Sequence, residues 1–161
     1  MLKKIVFLNI IVLCIFFVFL SVQSSKARHQ ENIRQEIERI ENSASGKSGK
    51  GFLSVIKGDN ESAIEHFSKS IEIEPNNPIV YHQRGIAYYN LGNYQDALKD
   101  LNQTIKLDPN LIDAYGNRSL VKMELKDYKG ALADINEVLK IAPEHPKAIE
   151  QKKTILSKMN K

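Results

Sequence analysis

The sequence has a single cysteine and no tryptophan in 161 residues. Cys14 lies inside an apolar run near the amino terminus, so the rest of the chain has no disulfide and no cysteine-ligated metal. Lipid attachment at Cys14 is not expected, because Val12 and Leu13 precede it where a small residue is normally needed. Charge of one sign is also in short supply. Residues 1–42 hold six basic and four acidic side chains, leaving 17 of the 23 Lys and Arg against 15 of the 19 Asp and Glu for the remainder. In that remainder the signs interleave, as in Glu150 before Lys152 and Lys153, and no stripe runs long enough to track phosphates. A nucleic-acid partner is not expected.

A catalytic constellation is missing too. An enzyme needs a nucleophile with its base, paired carboxylates or a metal cluster. His29, His66, His82 and His145 are scattered, and none has a second histidine three or four residues away to make a helical ligand pair. Gly46-Lys47-Ser48 invites comparison with a phosphate loop, but the glycine required five residues before Gly46 is Glu41, and no apolar strand precedes it. No catalytic residue, metal or cofactor is therefore expected.

What is present begins with residues 1–24. Lys3 and Lys4 precede an apolar stretch over residues 5–20, broken by Asn9 alone, after which Ser21, Gln23 and Ser24 restore polarity. This is the pattern of a signal peptide or a membrane anchor. As a helix the stretch would span about 24 Å, short of a bilayer core of about 30 Å but long for a cleavable signal. Both readings stay open, and the chain is expected to be membrane-anchored or exported. Residues 25–43 follow as a charged linker. Ile33, Ile37 and Ile40 fall at helical spacing there, but three isoleucines bury too little to hold a helix alone, so a mobile stalk is expected.

The rest of the chain repeats itself at one fixed interval, the distance from Ala63 to Ala97. At that shift Ala63, Ala97 and Ala131 superimpose, as do Phe67, Leu101 and Ile135, and then Pro75, Pro109 and Pro143. Gly51 matches Gly85, Gly58 matches Gly92, Tyr81 matches Tyr115, and Tyr94 matches Tyr128. Each unit reads as two helices joined by a tight turn. In the central unit Pro78 opens a helix, Gly92-Asn93 breaks it, and a second helix runs from Tyr94 until Asp108-Pro109 stops it. Small residues at Gly85 and Ala97 allow the two helices to approach closely. Arg84 and Asp100 are sixteen residues apart, as are Arg118 and Asp134, which predicts an ion pair inside each of these two hairpins; the first unit has Lys50 and His66 instead.

In Tyr81, Gly85, Tyr88, Gly92, Tyr94, Ala97, Leu101 and Pro109 the chain resembles the tetratricopeptide-repeat family. The resemblance implies an all-α fold, a right-handed superhelical stack of helix-turn-helix hairpins. Three repeats are expected over residues 44–77, 78–111 and 112–145, then a closing helix over 146–159. The first repeat departs by placing Lys47 where an aromatic belongs, and the third by Ser119 for the small glycine and Lys126 for the turn glycine.

The resemblance further implies a peptide- or protein-binding scaffold whose concave groove is lined by the first helix of each repeat. Helical spacing then selects Phe52, Val55 and Ile56, repeated as Ile86, Tyr89 and Asn90 and again as Leu120, Met123 and Glu124. His82 and Asn117 complete the stripe, although the linker or the closing helix is an alternative occupant of part of it. Some family members clamp the terminal carboxylate of chaperones with Lys, Asn and Arg. The matching places here hold Ser48, Phe52, Gln83, Asp113 and Asn117, so that ligand is not expected. Self-association through the exposed ends of the stack is the competing expectation.

Overall fold

The computed structural model describes residues 23–160, which form eight helices and no strand. The chain divides after Asn42 into two units. In the first, the described residues 23–42 are helical (α1), where a stalk without fixed structure is the sequence-based expectation. The isoleucines do not hold it: Ile33, Ile37 and Ile40 are all exposed. Local terms do. The segment contains no Gly or Pro, Gln35 donates to Glu31 at 3.2 Å, and Arg39 lies 3.9 Å from Glu36, pairs that stabilise a helix by a few tenths of a kcal/mol each, roughly. Among the described residues no helix is long and apolar enough to cross a membrane. The signal-or-anchor expectation and Cys14 lie outside the described residues.

The second unit is a series of seven helices, three pairs of 13 and then 14 residues followed by a last one of 14: α2 (Ala44–Ile56), α3 (Asn60–Ile73), α4 (Pro78–Asn90), α5 (Tyr94–Leu107), α6 (Ile112–Glu124), α7 (Tyr128–Ile141) and α8 (Pro146–Met159). Each pair α2/α3, α4/α5 and α6/α7 is a hairpin that stacks on the next, and α8 packs on α7. At five of these helix starts a side chain accepts an otherwise orphaned backbone N–H. Ser43 caps α2, Asp59 caps α3, Asn77 caps α4, Asp127 caps α7 and His145 caps α8. Ser43 thus begins regular helix immediately, despite the Gly-rich composition of residues 44–51. The stops after α3, α5 and α7 fall on Glu74, Asp108 and Ala142, each out of helical conformation because Pro75, Pro109 or Pro143 follows.

Between the helices of a hairpin the chain turns through a left-handed residue. Gly58 (φ 78°) and Gly92 (φ 77°) occupy that place in the first two repeats, and Lys126 (φ 63°) in the third. Inside the hairpins, Ala63, Ala97 and Ala131 are fully buried, as are Phe67, Leu101 and Ile135. The facing small residue sets the helix separation. A Cβ on Gly51 would sit 2.5 Å from the Phe67 ring, and one on Gly85 would sit 3.2 Å from Leu101 Cγ and 3.4 Å from the Ala97 carbonyl. Ser119 takes the same place in the third repeat and turns the close approach to use, its hydroxyl donating to the Ala131 carbonyl at 3.0 Å. Tyr81, Tyr94, Tyr115 and Tyr128 are half-buried at the edges of these contacts.

The ion pairs expected from the sixteen-residue spacing are present, and both are bidentate. Arg84 binds Asp100 at 2.7 and 2.8 Å, and Arg118 binds Asp134 at 2.9 and 2.6 Å. Each arginine has one further donor bond, to the preceding repeat: Arg84 to Ser68 and Arg118 to Asn102, both at 2.9 Å. Aromatic faces bracket the guanidiniums, Tyr81 and Tyr88 around Arg84 and Tyr115 beside Arg118, at 5.5 to 5.8 Å. Because the fork is planar and its partners hydrogen-bonded, an otherwise costly buried carboxylate is satisfied.

Candidate functional site

With the hairpins fixed this way, α4, α6 and α8 lie successively along one side of the stack, each one repeat length on from the last. They enclose an open cavity of about 780 Å³. Ile86, Leu120 and Met123 give it an apolar floor, and His82, Asn117 and Gln151 place polar groups beside that floor. Its remaining charged wall consists of Asp113 from α6 and Lys147 and Glu150 from α8. A smaller adjoining cavity of about 170 Å³ is lined by Ile86, Tyr89, Asn90, Asn117 and Leu120.

His82 and Asn117 meet across the cavity wall, with the Asn117 amide nitrogen 2.9 Å from His82 Nε2. Burial holds the His82 pKa below the ordinary histidine range, with the nearby Asp113 charge opposing the shift. A neutral imidazole can accept from the Asn117 amide, so the pair is compatible with a site of low charge. Gln151 donates to the Gly116 carbonyl at 3.5 Å, which ties α8 to α6. Tyr89 stacks obliquely on Tyr94, centroids 5.7 Å apart, and burial together with the Glu124 charge raises its pKa.

Seven of the eleven residues selected by helical spacing line one or both cavities: His82, Ile86, Tyr89, Asn90, Asn117, Leu120 and Met123. Glu124 lies beside this group, close enough to act on Tyr89. The three from the first repeat are placed elsewhere. Phe52 meets the Phe67 ring edge-on at 5.3 Å, Val55 packs against the cluster of Ala63, Phe67, Val80 and Ala87, and Ile56 projects into solvent at 81% exposure. Helical spacing alone did not select Ile112, Asp113, Gln151 or Thr154, which also line the larger cavity. A signal for the last two was available, since Gln151 and Thr154 stand one repeat length after Asn117 and Leu120. The alternative raised for the groove, that the closing helix occupies part of it, takes the form of α8 supplying one wall. Among the described residues no group of three or more His, Cys, Asp or Glu side chains is placed to hold a metal ion.

Family models match this architecture over most of its length: a TPR repeat model over residues 54–92, and tetratricopeptide-repeat models over residues 78–111 and 112–145. The chain belongs to the tetratricopeptide-repeat (TPR) family. Solved TPR domains share its fold. The first TPR of Spaghetti (RPAP3), bound to the HSP90 peptide SRMEEVD, is 24% identical with a TM-score of 0.71, over 73% of this chain and 94% of that one. The second TPR domain of human RPAP3, in complex with the HSP70 peptide SGPTIEEVD, is 27% identical with a TM-score of 0.65, over 68% and 91%. The Arabidopsis OM64 TPR domain is 23% identical with a TM-score of 0.69, over 71% and 95%. No curated protein sequence matches.

Proposed function

We propose that this TPR protein is a non-catalytic scaffold that binds a segment of another polypeptide against α4, α6 and α8, and that residues 1–24 bring it to a membrane or across one. The observation that carries the reading is the open cavity of about 780 Å³, apolar at its floor with a few convergent polar groups, which has the composition of a recognition groove rather than of a packing defect. Two similar TPR domains are bound to chaperone peptides, which supports the same class of ligand here. Their ligand is not carried over. The register that would clamp a terminal carboxylate holds Ser48, Phe52, Gln83, Asp113 and Asn117, with no fixed cation and one acid.

The deciding experiment is crosslinked co-purification from native membranes, with wild type beside the double variant Tyr89→Glu, Met123→Glu. Both positions are half-buried on the groove side, so the new carboxylates remain partly hydrated in the free protein. Against an apolar ligand they would be buried unpaired, a cost of several kcal/mol, roughly. Circular dichroism should be nearly unchanged while partner recovery is lost. Intact recovery would move the binding surface away from these helices. A second reading, self-association, is favoured by the exposure of Leu53 and Ile56 on α2; a chain that stays monomeric by light scattering in detergent at high concentration would dispose of it.

A further inference from the structure

The repeat register identifies a second surface, on the side of α8 that does not face the cavity. In α4 the face made by Tyr81, Arg84, Gly85 and Tyr88 receives α5, and its Arg84 is met by the buried Asp100. In α6 the corresponding face, Tyr115, Arg118, Ser119 and Lys122, receives α7. There Asp134 is held by Arg118 and also by Lys122 at 2.8 Å. Moving on by one further repeat length reaches Ile149, Lys152, Lys153 and Leu156 of α8. The face keeps a cation at the arginine position and apolar side chains at its two ends, yet no described helix covers it: Ile149 and Leu156 are 38% and 41% exposed, and Lys153 is exposed. Its charge is one-sided. Of the charged side chains in α8, Lys147 and Glu150 lie on the cavity side, and the other three, Lys152, Lys153 and Lys158, are all basic.

We infer that this face is a docking surface for an amphipathic helix of a partner protein, one that presents a carboxylate to Lys152 and Lys153 between apolar side chains that cover Ile149 and Leu156. The fold itself displays the required chemistry twice, in α5 and α7. One difference bears on the fit. Lys153 replaces the small Gly85 and Ser119, so an incoming helix sits farther out than α5 or α7 does in its own hairpin. A second cation within reach of the carboxylate compensates for the looser packing. Charge complementarity of this kind fixes which partner is accepted and how it is oriented.

The probe is a peptide with the sequence of residues 94–107, which is α5 itself, held helical by a lactam between positions 95 and 99, both on its exposed side. Without such a bridge a helix of this length is marginal in water. Titrated by fluorescence anisotropy against the full chain in detergent, it should bind saturably. Lys152→Glu with Lys153→Glu should weaken binding at least about tenfold, and a peptide carrying Asp100→Lys should bind the reversed protein better than the wild type, as a double-mutant cycle requires of a direct contact. The groove variant Tyr89→Glu, Met123→Glu should bind the probe like wild type, which separates this face from the cavity. Equal binding by wild type and the reversed protein, or no saturable binding by either, overturns the proposal. So does a preference of wild type over the reversed protein for phosphatidylglycerol vesicles relative to phosphatidylcholine vesicles, because the face would then serve lipid headgroups.

Discussion

Repeats two and three build the same hairpin from different residues at two sterically demanding positions. Where repeat two has Gly85 against the Ala97 carbonyl, repeat three has Ser119 donating to the Ala131 carbonyl, so a hydroxyl that finds an acceptor replaces the absence of a side chain. Where repeat two turns through Gly92, repeat three turns through Lys126 at φ 63°, with no such compensation visible. The first exchange keeps a close contact and adds a hydrogen bond; the second forces a side chain into a conformation that costs about 1–2 kcal/mol for an L-residue. What the two repeats hold constant is the Arg–Asp fork and the alanine beneath it.

The largest expected effect lies in that constant part. Asp100→Ala leaves Arg84 in a largely buried site without its carboxylate, a loss of about 3 kcal/mol in chemical denaturation. Asp134→Ala strands both Arg118 and Lys122 and should cost more; equal losses would mean that Lys122 contributes nothing. His66→Ala, at the corresponding place in repeat one, should cost far less than either, since no carboxylate is removed. Next in size is the turn. Lys126→Gly should stabilise the protein by about 1 kcal/mol, seen as a higher denaturation midpoint at unchanged slope, and Gly92→Lys should bring repeat two down by a similar amount. No change in either variant would remove strain as the difference between the repeats.

The smallest effect concerns the hydrogen bond by which the two repeats meet beside the cavity. His82 has its pKa lowered by burial, so the unfolded chain takes up a proton before the folded one. Its contribution to stability is complete above the unfolded histidine pKa and declines as pH falls below it toward the folded value. His82→Gln should therefore flatten the fall in Tm between neutral pH and about pH 5. An identical slope in wild type and variant would show that His82 keeps an ordinary pKa.

Much of the fold was legible because residue size records steric demand at a fixed period. The starts of α2, α4, α6 and α8 fall one repeat length apart, where the alanines, glycines and prolines place them. The sixteen-residue Arg–Asp spacing was readable for the same reason, since it measures the distance around one hairpin. The further partners of the arginines, Ser68 and Asn102, each stand sixteen residues before the arginine they meet, but they were not read, because two neutral side chains of different type offer no charge complementarity to single them out. Helical spacing found most of the cavity lining on α4 and α6, but it also selected Phe52 and Val55, which pack against the core cluster of Phe67, Ala63, Val80 and Ala87 where the first two hairpins meet. The helix over residues 23–42 was missed because a search for buried apolar surface overlooks a segment supported by its own local charges.

The bonds from Arg84 to Ser68 and from Arg118 to Asn102 have a consequence for cooperativity. A linear array of repeats unfolds piecemeal when its units are intrinsically stable and weakly joined, and all at once when the joints carry the free energy. Each of these arginines belongs to both categories, because the fork that closes its own hairpin also grips the hairpin before it. Opening one repeat releases a donor bond of its neighbour, so the middle hairpin cannot loosen without disturbing both sides. Amide protons of α4 through α7 should therefore exchange as one slow group, with the outer helix α8, which has no such fork, opening at lower free energy.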